Sequence, residues 1–184
     1  MSEILREIEL RRARRALSET AVPKQVVQRI MTAATWAPSC FNNQPWRFVV
    51  VDNPQQLETV KGFLAGGNYW AGKSPLIVLV LTEPDMDCRL SDRRDYSFFS
   101  TGLAVENLVL QAGREGLIAH PIAGYKPQEI KEALGIPQEL VLLTLVIVGY
   151  PGDETHLNEK HLELEHSPRD RKPPEQVIRY NRWS

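Results

Sequence analysis

Residues 98–113 limit the fold more than any other stretch. Phe98, Phe99, Leu103, Ala104, Val105, Leu108, Val109, Leu110 and Ala112 occupy nearly every side of a helix there, interrupted by Glu106, Asn107 and Gln111. A helix apolar nearly all round is buried on most sides. In a chain of 184 residues, that puts it at the centre of a single domain or in a subunit interface.

The flanking segments alternate between strand and helix patterns. Glu3 to Leu17 reads as a helix, with acids early and arginines late, as the helix dipole prefers. Pro23 suits the first turn of a second helix running to Trp36, with Val26, Val27, Ile30, Met31 and Ala34 as its stripe. Arg47 to Val51 reads as a strand whose V-V-V run fits burial on both faces. Asn53 caps a helix with Pro54 at its first position, carrying Leu57, Val60, Phe63 and Leu64. Leu76 to Leu81 and Leu140 to Val148 are strong strands, both too short to span a bilayer. Leu117 to Ala119 leads into a loop, H-P-I-A-G-Y. Lys126 to Leu134 is a short helix stopped by Gly135. Three strong strands among helices predict an α+β fold, a sheet covered by helices, over residues 1–184 as one domain. From residue 150 to 184 prolines and charges dominate. Leu157, Leu162, Leu164, Val177, Ile178 and Trp183 are too sparse for a second core, so this arm lies on its own domain or on a partner.

The charge balance, 22 basic against 23 acidic residues, gives no default nucleic-acid or membrane partner. Gly66-Gly67-Asn68 is neither a dinucleotide fingerprint nor a P-loop. His156, His161 and His166 lack the spacing of a helical zinc site, so no metal is expected. No charged-then-apolar leader is visible, and Cys40 and Cys88 form no CxxC. The expectation is a cytoplasmic protein with reduced thiols, with a disulfide between the two left open.

Two stretches carry chemistry. Pro38 and Pro45 stiffen a loop rich in short polar side chains, Ser39, Cys40, Asn42, Asn43 and Gln44. Such a loop either lines a planar polar ligand or is a connector whose Ser and Asn satisfy their own backbone. Arg11, Arg12, Arg14 and Arg15 close the first helix. They answer its dipole, or they clamp a phosphate, for which helical spacing brings Arg11, Arg12 and Arg15 together.

Five motifs follow in order: Arg11-Arg12-Ala13-Arg14-Arg15 with Val22-Pro23; A-P-S-C-F-N-N-Q-P-W from Ala37 to Trp46; Gly116-Leu117 with Pro121-Ile122-Ala123-Gly124-Tyr125; Gly149-Tyr150-Pro151; and Arg171-Lys172-Pro173. Together they resemble the nitroreductase family of flavoenzymes almost end to end. The resemblance implies a nitroreductase-like α+β fold, with a central, mostly antiparallel sheet flanked by helices. It also implies a homodimer holding FMN at each side of the interface, with helix 98–113 as its core and the 150–184 arm wrapping the partner. Arg11, Arg12 and Arg15, with Arg169 and Arg171, would hold the FMN phosphate and polar edge. Pro38, Ser39, Cys40, Asn42 and Gln44 would line the isoalloxazine from the partner chain, and Asn68 its pyrimidine edge. Pro121, Ile122, Ala123 and Gly124 would face the ring, with the Gly124 N–H at flavin N5. Ala13 replaces the usual serine of the phosphate site, and Ala123 stands where many members carry an acid. The segment after Pro75, where larger members insert substrate-covering residues, is short.

The implied activity is ping-pong hydride transfer from NADH or NADPH, through flavin N5, to a flat small-molecule acceptor: a nitroaromatic, quinone or activated alkene. Arg15 would stabilise the reduced flavin's charge, no catalytic side chain is required, and Cys40 is a pocket wall. A flavin-binding regulator without turnover, or a dehalogenase or flavin-cleaving member, are the alternatives.

Overall fold

The computed structural model describes residues 3–183. Its centre is a four-stranded sheet of β1 (Arg47–Val51), β2 (Leu76–Thr82), β3 (Ile118–Ile122) and β4 (Val141–Gly149), in the order β1-β2-β4-β3. Every pairing is antiparallel. The helices are α1 (Arg6–Leu10), α2 (Lys24–Thr35), α3 (Pro54–Lys61), α4 (Tyr96–Arg114), α5 (Pro127–Leu134), α6 (Glu159–His166) and α7 (Pro174–Val177).

The sheet is buried on both faces because β2 and β4 are apolar at nearly every position, and successive side chains point to opposite sides. Leu76, Val78 and Val80 of β2, with Val146 and Val148 of β4, meet Ile30 and Ala34 of α2 and Leu108 and Ala112 of α4. Ile77, Leu79 and Leu81, with Leu145 and Ile147, meet Leu57 and Val60 of α3, Ile130 of α5, and Trp70. One strand pair thus serves two cores.

β1 departs from its expected burial. Only Val51 is buried along it, because β1 is an edge strand with a neighbour on one side. β3 adds a strand where a loop was expected from His120 onward. Pro121 fits there because β3 is the other edge, where a missing N–H breaks no ladder bond. Asn53 does cap α3, accepting from the Gln55 and Gln56 N–H groups, but Phe63 and Leu64 lie past its end.

The first helix is much shorter than predicted. It ends at Leu10, and Arg11 takes an extended φ/ψ of −56°/127°. Residues 16–18 are drawn instead into pairing with the chain after β4. Leu17 bridges to Pro151, the Ser18 N–H donates to the Tyr150 carbonyl at 2.8 Å, and the Gly152 N–H donates to the Ala16 carbonyl at 2.8 Å. A Cβ on Gly152 would lie 2.5 Å from Leu17 backbone atoms, so only glycine permits this contact.

α4 is buried along one side, by Ser97, Ser100, Thr101, Ala104, Leu108, Val109 and Ala112. Its opposite side is open: Phe99 is 57% exposed, and Gly102, Glu106 and Gly113 are exposed with it. Beyond α6 the chain is almost wholly exposed, including Val177, Ile178, Tyr180 and Trp183. No helix among the described residues is long and apolar enough to cross a membrane.

Candidate functional site

The arginine segment is extended, so its side chains alternate rather than converge as on a helix. Arg12 Nη2 donates to the Ser167 carbonyl, and Arg14 Nη1 donates to the Glu165 carbonyl. Both of these are tied to α6 and its end. Arg15 points elsewhere, its guanidinium 5.8 Å above the Trp70 ring. Among the described residues its only hydrogen bond from the side chain is a 3.3 Å contact to the Ala13 carbonyl. Arg11 lines a cavity of about 590 Å³ between α1, α4 and β3, and its guanidinium has no acidic partner among the described residues. Arg169 donates to the carbonyls of Ile8, Glu9 and Arg11, closing the frayed end of α1. Arg171 is exposed and donates to the Asp170 carbonyl.

A buried carboxylate holds this segment in place. Glu165 is 3% exposed. Its Oε2 accepts the Arg15 N–H at 2.8 Å, and its Oε1 lies 4.0 Å from Arg14 Nη1. From the other side, His120 Nδ1–H donates to the Arg14 carbonyl at 3.0 Å, and the imidazole stacks on Trp70 with centroids 4.7 Å apart. Burial pushes the His120 pKa down to about 4, against a rise from that hydrogen bond; the charges of Arg15 and Arg11 lower it further. A neutral imidazole therefore backs the arginines. Tyr69 stacks on His161 of α6 and accepts the Asn158 N–H at 2.7 Å.

Gly124 is the second fixed point. Its carbonyl accepts from the Ala65 N–H at 2.9 Å and from Asn68 Nδ2 at 2.8 Å. A Cβ on Gly124 would sit 2.8 Å from Asn68 Nδ2 and 3.2 Å from the Ala65 Cβ. The structure thus joins two residues 56 apart in sequence that the motifs had named separately. Pro121, Ile122 and Ala123 lead into this glycine along β3; Pro121 and Ala123 are exposed and Ile122 is buried.

The loop 37–46 is anchored at both ends. Ala37 and Trp46 pack on Ala104 of α4, and buried Thr82 Oγ1 donates to the Pro45 carbonyl at 3.1 Å. Between them Phe41, Asn42 and Gln44 have positive φ, at 47°, 59° and 51°, a region that L-residues occupy only when their surroundings hold them there. Ser39 Oγ accepts the Gln44 N–H at 2.9 Å, so the serine does satisfy its own loop. Pro38, Asn42 and Gln44 remain exposed, and Ser39 partly so.

The cysteines are not reduced. Cys40 and Cys88 form a disulfide across 48 residues. The register explains it: Arg47 pairs with Leu81, so the loop entering β1 and the loop leaving β2 emerge side by side.

Trp70, His120 and Glu165 were not singled out by sequence. His120 read as loop, and the roles of all three come from contacts distant in sequence. Within one chain, no hydrogen bond or ion pair among the described residues joins the 38–44 loop to Arg11–Arg15 or to Gly124.

The sequence model described as the nitroreductase family matches residues 8–68 and 62–150. A protein of Archaeoglobus fulgidus, provisionally named NADH dehydrogenase/NAD(P)H nitroreductase, is 30% identical over 165 residues, covering 86% of this chain and 91% of that protein. The FMN reductase [NAD(P)H] of Bacillus subtilis is 24% identical over 171 residues, covering 84% of this chain and 68% of its own. Among solved structures, an oxidoreductase containing FMN superposes with a TM-score of 0.87 at 28% identity, covering 100% of this chain and 96% of that one.

Proposed function

Since the chain belongs to the nitroreductase family, we propose that it is an FMN-dependent oxidoreductase. It takes reducing equivalents from NADH or NADPH and passes them to a flat oxidised acceptor such as a nitroaromatic, a quinone or an activated alkene. The observation that carries this reading is the pair of cations Arg11 and Arg15. They stand on a segment braced by Glu165 and by the His120 imidazole, yet neither has a carboxylate partner among the described residues.

The residues present fit FMN. Arg11 and Arg15 hold its phosphate, because guanidinium groups match phosphate oxygens with paired donors. Arg12 and Arg169, occupied by backbone carbonyls, position that segment, and exposed Arg171 completes the polar edge. A neutral His120 leaves the positive charge on the arginines. Asn68 and Ala65 fix the Gly124 carbonyl, so its amide is the side offered to the flavin N5 edge, and the missing Cβ leaves the approach clear. Bound FMN supplies two-electron hydride chemistry at N5. The chain then has to bind, orient and shield the ring, and no nucleophilic side chain is called for.

Among the described residues no hydrogen bond or ion pair joins the loop from Pro38 to Gln44 to these groups in its own chain, which supports assigning it to the site of a second copy. The open side of α4, with Phe99, and the exposed apolar residues of the tail are the surfaces such a homodimer would cover. The test is an R11A/R15A chain. It is expected to keep the native circular dichroism and thermal midpoint within a few degrees, to lose bound FMN, and to lose NADH–quinone turnover. Full retention of FMN would refute the clamp.

A further inference from the structure

The disulfide ties Cys40, in the loop assigned above to the flavin ring, to Cys88 in the segment that follows β2. Cys40 and Cys88 are both partly exposed. Beside the bond sits Asp87, 7% exposed. Its Oδ1 accepts from the Cys88 N–H at 2.8 Å and from Asn43 Nδ2 at 3.1 Å. Its Oδ2 is buried and has no partner. One Asp87 oxygen and the two sulfurs all lie within 4.8 Å of one another.

A buried acceptor without a donor is costly. A disulfide has no hydrogen to offer it, whereas a thiol is a donor. Reduction of Cys40–Cys88 therefore creates the donor that Asp87 lacks. A disulfide serving only as a staple would gain nothing from such a neighbour.

We propose that Cys40–Cys88 is a second redox centre of this enzyme, exchanging two electrons with the flavin its loop lines. The inference rests on the FMN reading above. In the forward direction the S–S bond breaks. Reduced FMN gives two electrons and one proton, solvent gives the second proton, and the products are oxidised FMN and two thiols. One thiol donates its S–H to the neighbouring Asp87 carboxylate.

The experiment is an anaerobic titration of the FMN-loaded protein with NADH or NADPH, followed by acid quench, alkylation and mass measurement. The expected result is two equivalents of nicotinamide per flavin before the flavin is fully bleached, with two alkyl groups added per chain. C88S should bleach with one equivalent. One equivalent with the native chain, and no alkylation, would overturn the proposal. So would two free thiols with one zinc per chain in the protein before any reductant, which would make Cys40, Asp87 and Cys88 a metal site. A chain that takes up no FMN fails the underlying reading and this inference together; the visible spectrum shows that before nicotinamide is added.

Discussion

Gly124 has no room for a side chain. The smallest replacement, G124A, puts a carbon 2.8 Å from Asn68 Nδ2, and the amide has to swing away from the carbonyl it bonds. Losing that bond and displacing the peptide should cost about 1.5 kcal/mol, roughly tenfold in affinity. FMN binding to G124A, followed by quenching of flavin fluorescence, is expected to weaken by at least that factor while the chain stays folded. N68A/G124A removes the clash but not the lost bond, so it should recover only part. The need for glycine was legible in the P-I-A-G-Y motif; the identity of the group pressing on it was not, because Asn68 lies 56 residues away in sequence and was assigned only to the flavin's pyrimidine edge.

His120 makes a pH prediction. Burial holds its folded pKa at about 4, below the ordinary value of 6.5. The unfolded chain therefore takes up a proton first as pH falls. Its contribution to stability is full above about pH 6.5, declines as pH drops from there toward 4, and levels off below. The thermal midpoint of the native chain should follow that slope, and H120Q should flatten it. An equal slope in both would remove His120 from the account.

At the level of elements, α6 and the arginine segment depend on one another. Glu165 is the buried hinge of that contact, and E165A leaves the Arg15 N–H and the Arg14 guanidinium without it. A loss of about 1–3 kcal/mol is expected, read as a lower denaturation midpoint, together with weaker FMN retention. Unchanged retention would mean that the segment holds its shape without α6. Sequence reading failed here for a physical reason. Acids early and arginines late are good helix chemistry, and the stripe of Ile4, Leu5, Ile8 and Leu10 seemed to support it. Those four side chains are exposed, so the helix has little to bury, and pairing of residues 16–18 with 150–152 decides the backbone instead. β2 and β4 were legible because their apolar runs need no partner to be recognised. β1 shows the limit of that signal: V-V-V describes a strand but not whether it stands at an edge.

At the scale of the whole molecule, the apolar helix packs one side against its own chain and leaves the other open. α4 stays open along Phe99, and the tail carries Ile178, Tyr180 and Trp183 exposed; these are the surfaces the proposed homodimer would cover. The disulfide was visible only once the β1–β2 register placed two loops together. All the proposals on the arginines, Gly124 and the 38–44 loop meet in one claim: this chain binds FMN. The most direct test is the visible absorption spectrum of the purified protein, incubated with FMN and desalted, with the cofactor then released and identified. Flavin bands at one FMN per chain are the expected result. A colourless protein that takes up no FMN would contradict the account at its centre.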